Sequence, residues 1–148
     1  MRVAAFADGR AENPLETITR LAYRQERLPD PETQVEVWRD GRFIALVDFL
    51  FRDQRTVGEA DGMGKYDAPG ALRAEKRREE DLRRCGLEVV RNTWDEAWER
   101  GGRAELAQRM RDAFGYAKDR PLARGLSFRV PSLEELVRRE QARGEAAA

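Results

Sequence analysis

The sequence predicts an α/β domain: a mixed four-stranded sheet with helices on both faces, in the order α-β-β-β-α-β-α. Three observations carry this. "QVEVW" and "RFIALVDFLF" are rich in β-branched and aromatic residues and are joined through an Asp-Gly turn, the signature of a hairpin. "ALRAEKRREEDLRRCG" reads as a charged helix closed by Gly86 at the usual capping position. It stands between two further strand-like runs, "RTVGEAD" and "LEVVRNTW", and such a crossover makes those strands parallel neighbours with a right-handed connection expected.

The elements follow in order. "NPLETITRLAYRQ" opens the first helix, with Asn13 as N-cap, Pro14 at the first helical position and Leu15, Ile18, Leu21 and Ala22 at helical spacing. The hairpin and the third strand come next, then "GMGKYDAPG", a loop by its glycine and proline content. After the crossover helix and the fourth strand, "TWDEAW" is a capping-box start from Thr93 to Glu96, and Gly101-Gly102 interrupts it. A longer helix resumes with Leu106, Met110, Ala113 and Phe114 on one face. From Lys118 to Pro131 the chain reads as an extended arm. Ser132 caps a short final helix with Glu135 at its third position, and "GEAAA" is expected to fray.

Composition narrows the chemistry. A chain of 148 residues can bury one core, and its formal net charge of zero excludes a strongly basic polyanion binder while leaving room for a local basic groove. There is no histidine, which removes Ser-His and Cys-His triads, His-metal nucleases and any histidine base. Catalysis must then run on carboxylates, lysine, tyrosine or a metal. Lys65, Lys76 and Lys118 are the only lysines; the abundance of arginine and alanine points to a GC-rich bacterial gene. The single Cys85 fits a small core residue and a reducing cytoplasm. No stretch is long enough for a membrane helix, and "MRVAAFADGR" lacks the pattern of a secretory signal. Trp38, Trp94 and Trp98 read as core or edge packing rather than base stacking.

Three carboxylates stand inside apolar strands: Asp48, Glu59 and Asp61. Burying an unpaired carboxylate costs several kcal/mol. Alternation puts Asp48 on one face with Leu46 and Ile44, and Glu59 on one face with Val57 and Asp61, while Gly58 and Ala60 let a helix approach the other face. If the second and third strands pair, Asp48 and Glu59 meet. A divalent cation between them resolves the burial, and oxygen ligands select Mg²⁺, Mn²⁺ or Ca²⁺. Arginines such as Arg52, Arg55 or Arg91 offer the alternative partner. In the crossover helix Glu75, Arg78 and Glu79 interrupt the apolar stripe, so at least one of them faces the sheet.

The blocks "NPLET", "FIALVDF", "VGEADGMGKY" and "AEKRREEDLRRCGLEVVRNTW", spanning roughly residues 8 to 98, resemble the PD-(D/E)XK restriction-endonuclease-like superfamily. More closely, the chain resembles its small bacterial nuclease-like domains related to very-short-patch-repair (Vsr) endonucleases, some of which occur in AbiEi-like antitoxin proteins. The resemblance implies a restriction-endonuclease-like core over residues 8–116, with a C-terminal arm and short helix over 117–148. It implies a metal-dependent DNA endonuclease using Mg²⁺ or Mn²⁺. Asp48 and Glu59 correspond to the family's metal-binding acids, the Ala60 carbonyl to the usual third ligand, and Glu16 to a helix acid that helps hold the metal. Glu16 also stands three residues after Asn13, where it closes a capping box. The chain departs from the pattern at the motif lysine, where it has Asp61. Lys65 is a candidate to take over that role, or a solvated loop lysine; Asp61 could bind a second metal or accept a proton from water. Lys76, Arg78 and Arg91 are candidate contacts to the nucleic acid, with Lys76 or Arg78 approaching the acids or a phosphate. The rival expectations are a nuclease fold that no longer cleaves and serves binding or toxin–antitoxin regulation, and a structural domain whose acid pocket is satisfied by arginine.

Overall fold

The structure, a computed structural model, describes residues 13–61 and 69–147. Helix α1 (Pro14–Gln25) starts on Asn13, whose side chain accepts the Glu16 amide. Strands β1 (Glu32–Arg39) and β2 (Arg42–Phe51) form the expected antiparallel hairpin. Asp40 and Gly41 both lie at positive φ (50° and 75°), the two left-handed residues that a type I′ turn needs. Strand β3 (Thr56–Ala60) runs antiparallel to β2, and α2 (Ala71–Arg84) crosses to β4 (Glu88–Asn92), which is parallel to β3.

Two apolar clusters sandwich this sheet. Phe49, Phe51 and Val90 pack with Leu15 and Tyr23 of α1 and with Leu106, Met110 and Ala113 of α4 (Arg100–Lys118). On the alternate positions, Leu50, Val57 and Val89 pack with Leu82 of α2 and Cys85 behind it. Gly58 shows why β3 needs a small residue on the first of these faces: a β-carbon there would stand 2.5 Å from the Tyr23 hydroxyl. The break after α3 (Trp94–Trp98) falls at Glu99, which is extended (φ −78°, ψ 143°), and not at the two glycines. Both glycines lie inside α4, and Gly102 has the role of letting that helix pass within contact of the Glu96 backbone.

The C-terminal segment corrects the expected architecture. The sheet has five strands, in the order β4-β3-β2-β1-β5, because β5 (Leu126–Arg129) pairs antiparallel with β1. The segment read as an arm contains this strand: its four residues alternate half-buried and exposed, as a short edge strand does. The final helix α5 (Leu133–Ala147) is 15 residues long, so "GEAA" continues it rather than fraying. The expected cap holds, with Ser132 and Glu135 exchanging hydrogen bonds of 2.7 and 3.2 Å. What fastens β5 and α5 is Glu36 of β1, fully buried. Its carboxylate accepts from Trp38 Nε1 at 2.9 Å, from Arg129 Nε and Nη2 at 2.5 and 2.9 Å, and from Arg139 of α5. Burial alone would raise the Glu36 pKa; the hydrogen bonds from Arg129, Trp38 and Arg139 outweigh it and lower it.

Candidate functional site

Strand registers assemble a polar row across the sheet. Thr33 pairs with Phe49 and Val35 with Val47, so Gln34 stands opposite Asp48. Phe49 pairs with Gly58, so Asp48 stands opposite Glu59 one step further along. Glu59 in turn pairs with Arg91. Gln34, Asp48 and Glu59 thus lie side by side on three adjacent strands, all buried, at 1%, 8% and 5% exposure. They line one cavity of about 890 Å³, within the usual size range of ligand sites.

Each acid is held differently. One Asp48 oxygen accepts the Ala60 backbone N–H at 2.9 Å, and the other lies 3.5 Å from Gln34 Nε2. That same Nε2 donates to Glu16 at 2.9 Å, and Asn13 holds the other Glu16 oxygen at 3.0 Å. Glu16 therefore both belongs to the α1 cap and reaches toward the acid row. Glu59 accepts from Arg78 Nη2 of α2 at 2.7 Å; the same guanidinium reaches the Leu46 carbonyl at 2.7 Å and Glu75 at 2.9 Å.

The surroundings of Glu59 disfavour its charge. Burial, and next the neighbouring Asp48 charge, push the Glu59 carboxyl well above the usual carboxylate range, against the opposing pull of Arg78. Burial disfavours the Arg78 charge, yet Glu59, Glu75 and Asp48 outweigh it and hold the guanidinium above its ordinary value. Arg78 is shared between Glu59 and Glu75, while Arg91 also engages Glu75, and the pull of Arg78 on Glu59 does not offset its burial beside Asp48.

The other expected residues separate by position. Asp61 ends the row beyond β3; its amide donates to Asn92 at 2.8 Å and its carboxylate is 3.9 Å from Arg91. Arg91 is engaged by Glu75 and by Glu79 at 3.1 Å, so its guanidinium sits inside a charge network of α2. Lys76 is exposed on α2, and it is Arg78 that approaches the acids. Arg52 pairs instead with Glu32 at 2.7 Å, and Arg55 donates to the Arg120 carbonyl. Lys65, with Tyr66, lies outside the described residues.

Gln34 is the residue that sequence reading missed. Its φ of 51° is left-handed, a conformation that costs a non-glycine residue on the order of 1 kcal/mol. Its Oε1 is buried with no hydrogen-bond partner. Nothing in "ETQVEV" signals this, because the feature arises from where the β1–β2 register places the side chain.

The donor set fits a hydrated Mg²⁺ or Mn²⁺ held by two carboxylates. Among the described residues no three acids come close enough to hold an ion by themselves. Mg²⁺ needs only one or two protein carboxylates, since it keeps several of its waters. Asp48 and Glu59 are the two carboxylates that could form such a pair.

No family model matches the chain, and no solved structure does. It is similar to two uncharacterized proteins of Mycobacterium tuberculosis, MT2308 of strain CDC 1551 / Oshkosh and Rv2248 of strain H37Rv, each 32% identical over 98 residues. The match covers 66% of this chain and 36% of each relative, so the chain spans about a third of the length of the curated relatives it matches.

Proposed function

We propose that the chain is a metal-dependent phosphodiesterase of the PD-(D/E)XK type acting on DNA. The observation that carries this reading is the buried Asp48–Glu59 pair, opposed across β2 and β3 at a cavity, with Glu59 left under-neutralised. The element order through β4 agrees with the core that the Vsr-like resemblance implies.

A bound Mg²⁺ or Mn²⁺ would lower the pKa of a coordinated water and polarise the scissile phosphate. Asp48, Glu59 and the Ala60 carbonyl would hold it, and Glu16 would brace the site through Gln34. Arg78, now on Glu59, would move to a phosphate oxygen once the acids are otherwise neutralised. Lys65 or Asp61 would orient the attacking water; Lys76 and Arg91 are the further backbone contacts. On the cavity wall, Trp38, Phe43, Ile44 and Leu46 offer apolar surface and Arg139 a cation.

The Arg78–Glu59 bond also favours a second reading, in which arginine replaces the metal and the fold serves binding or toxin–antitoxin regulation without cleavage. Incubation of linear and supercoiled DNA with Mn²⁺ separates the two. The nuclease reading expects cleavage that Glu59→Gln abolishes and that Lys65→Ala slows by roughly 10- to 1000-fold. Absence of cleavage across double-stranded, nicked and single-stranded substrates would contradict it.

A further inference from the structure

We propose that the stretch of the cavity formed by Phe43, Arg139 and Arg143 is a subsite for a nucleotide of a single DNA strand. The base would lie on the Phe43 ring and a phosphate on the guanidinium groups, while the strand runs on along β2 to the acids. The inference rests on the phosphodiesterase reading for its ligand and on the cavity for its position. It names unpaired DNA as the substrate class.

Shape favours a single strand over a duplex. Phe43 and Asp48 line the same cavity and stand five positions apart on β2. At the usual strand rise that is about 16 Å. A space of about 890 Å³ drawn out over such a length is on the order of 7 Å wide. A B-form duplex, whose major groove alone is about 12 Å across, does not enter it. Ala71 and Ala74 of α2 and Ala142 of α5 line the space with short side chains, which leave room for a strand. Asp48 and Glu59 are almost wholly buried and line this same space, so it is the route by which a phosphate would reach them.

The chemistry away from the acids suits a nucleotide. Phe43 is 48% exposed, and every base has a face that stacks on such a ring. The ring is held in place. Trp38 meets it edge-on with centroids 5.6 Å apart, and Trp38 is itself fixed by its hydrogen bond to Glu36. The Arg139 guanidinium lies 5.8 Å from the Phe43 centroid while it also binds the buried Glu36. Arg143 follows one helical turn later on the same face of α5 and lines the cavity as well. Guanidinium groups match phosphate oxygens, and an aromatic ring beside cations is the combination that holds single strands without reading their sequence. Both arginines come from α5, beyond the core that the resemblance covers.

The test is fluorescence anisotropy of a short labelled oligo-dT strand, and of a blunt duplex of the same length, titrated with the full chain in EDTA. Wild type should bind the strand more tightly than the duplex. Phe43→Leu keeps an apolar side chain and removes the ring; it should weaken strand binding roughly 5- to 100-fold. Arg143→Gln should weaken it too and lower the slope of affinity against salt by roughly 0.7, as the loss of one phosphate contact does. Arg139 is left in place because it fastens Glu36. Duplex binding as tight as strand binding would overturn the proposal, as would wild-type affinity in Phe43→Leu. Competition by dTMP as strong as that of the unlabelled strand would also overturn it, since the pocket would then take free nucleotides. If Phe43→Leu does not fold, a salt slope unchanged in Arg143→Gln overturns the proposal. Cleavage assays in Mn²⁺ separate this inference from the reading beneath it. Duplex cut as fast as single strand would overturn the subsite and leave the phosphodiesterase standing. Strand binding that Phe43→Leu weakens, without cleavage of any DNA, would support the subsite and overturn the phosphodiesterase.

Discussion

Arg78 of α2 reaches across the cavity to Glu59 of β3 at 2.7 Å, and so a guanidinium stands on the acid that a metal would otherwise share. The contact is mostly shielded, with the side chains 23% and 6% exposed. Removing one partner of a buried pair leaves the other charge stranded. Arg78→Met should destabilise the metal-free protein by roughly 2–4 kcal/mol, less than a fully buried pair because Arg78 is partly solvated. For a domain of this size that lowers Tm by about 5–15 °C. Melts in EDTA and in Mn²⁺ check it: the variant should recover more on adding Mn²⁺ than wild type does. Equal recovery would mean that Arg78 and a cation do not compete for Glu59.

The pH dependence follows from Glu59. Its folded pKa is raised above the ordinary value of 4.5, so the folded state holds a proton that the unfolded chain has released. The resulting stability is full below the unfolded value and is lost as pH rises through the folded value. Glu36, Glu75 and Glu135 have lowered pKa values, and their contributions are lost instead as pH falls. Glu59→Gln removes only the first effect. In EDTA its Tm relative to wild type should rise as pH increases above the ordinary carboxylate value of 4.5 and level off once pH passes the raised folded value. A constant difference over that window would contradict the burial of Glu59 beside Asp48.

Asp48→Asn keeps an oxygen for the Ala60 amide and deletes the charge next to Glu59. In EDTA it should leave the protein unchanged or stabilise it by about 1 kcal/mol, since like charges sharing a buried site repel. A clear loss in urea denaturation would contradict the repulsion between Asp48 and Glu59.

Tyr23 and Gly58 form a packing test. The Tyr23 hydroxyl is buried without a partner, and it stands 2.5 Å from where a residue-58 β-carbon would go. Gly58→Ala should cost about 1–3 kcal/mol by overpacking. In a Tyr23→Phe background the cost should fall by about half or more, because the clashing oxygen is gone. A double-mutant cycle with no coupling would place the strain elsewhere.

The sequence displayed the acid pair because strand alternation and hairpin register are local properties: Asp48 and Glu59 need only a short turn between them to meet. Glu16 was legible from its cap, three residues from Asn13. Arg78 could be anticipated from the charged break in the α2 stripe. Glu36 could not be, since its arginines come from 93 and 103 residues further along the chain. The same distance hid β5, a four-residue edge strand that pairs with β1 beside that anchor. Gln34 was hidden for another reason. A polar residue in a strand looks ordinary until the register shows which carboxylates it touches.

The most direct test of the account is calorimetric titration of Mg²⁺ and Mn²⁺ into wild type and into Glu59→Gln, with the fold of each monitored by circular dichroism. Saturable binding of either ion to wild type is expected, with loss of that binding in Glu59→Gln and the fold intact. Binding that survives unchanged in Glu59→Gln, or no binding to the folded wild type, would contradict a cation site between Asp48 and Glu59.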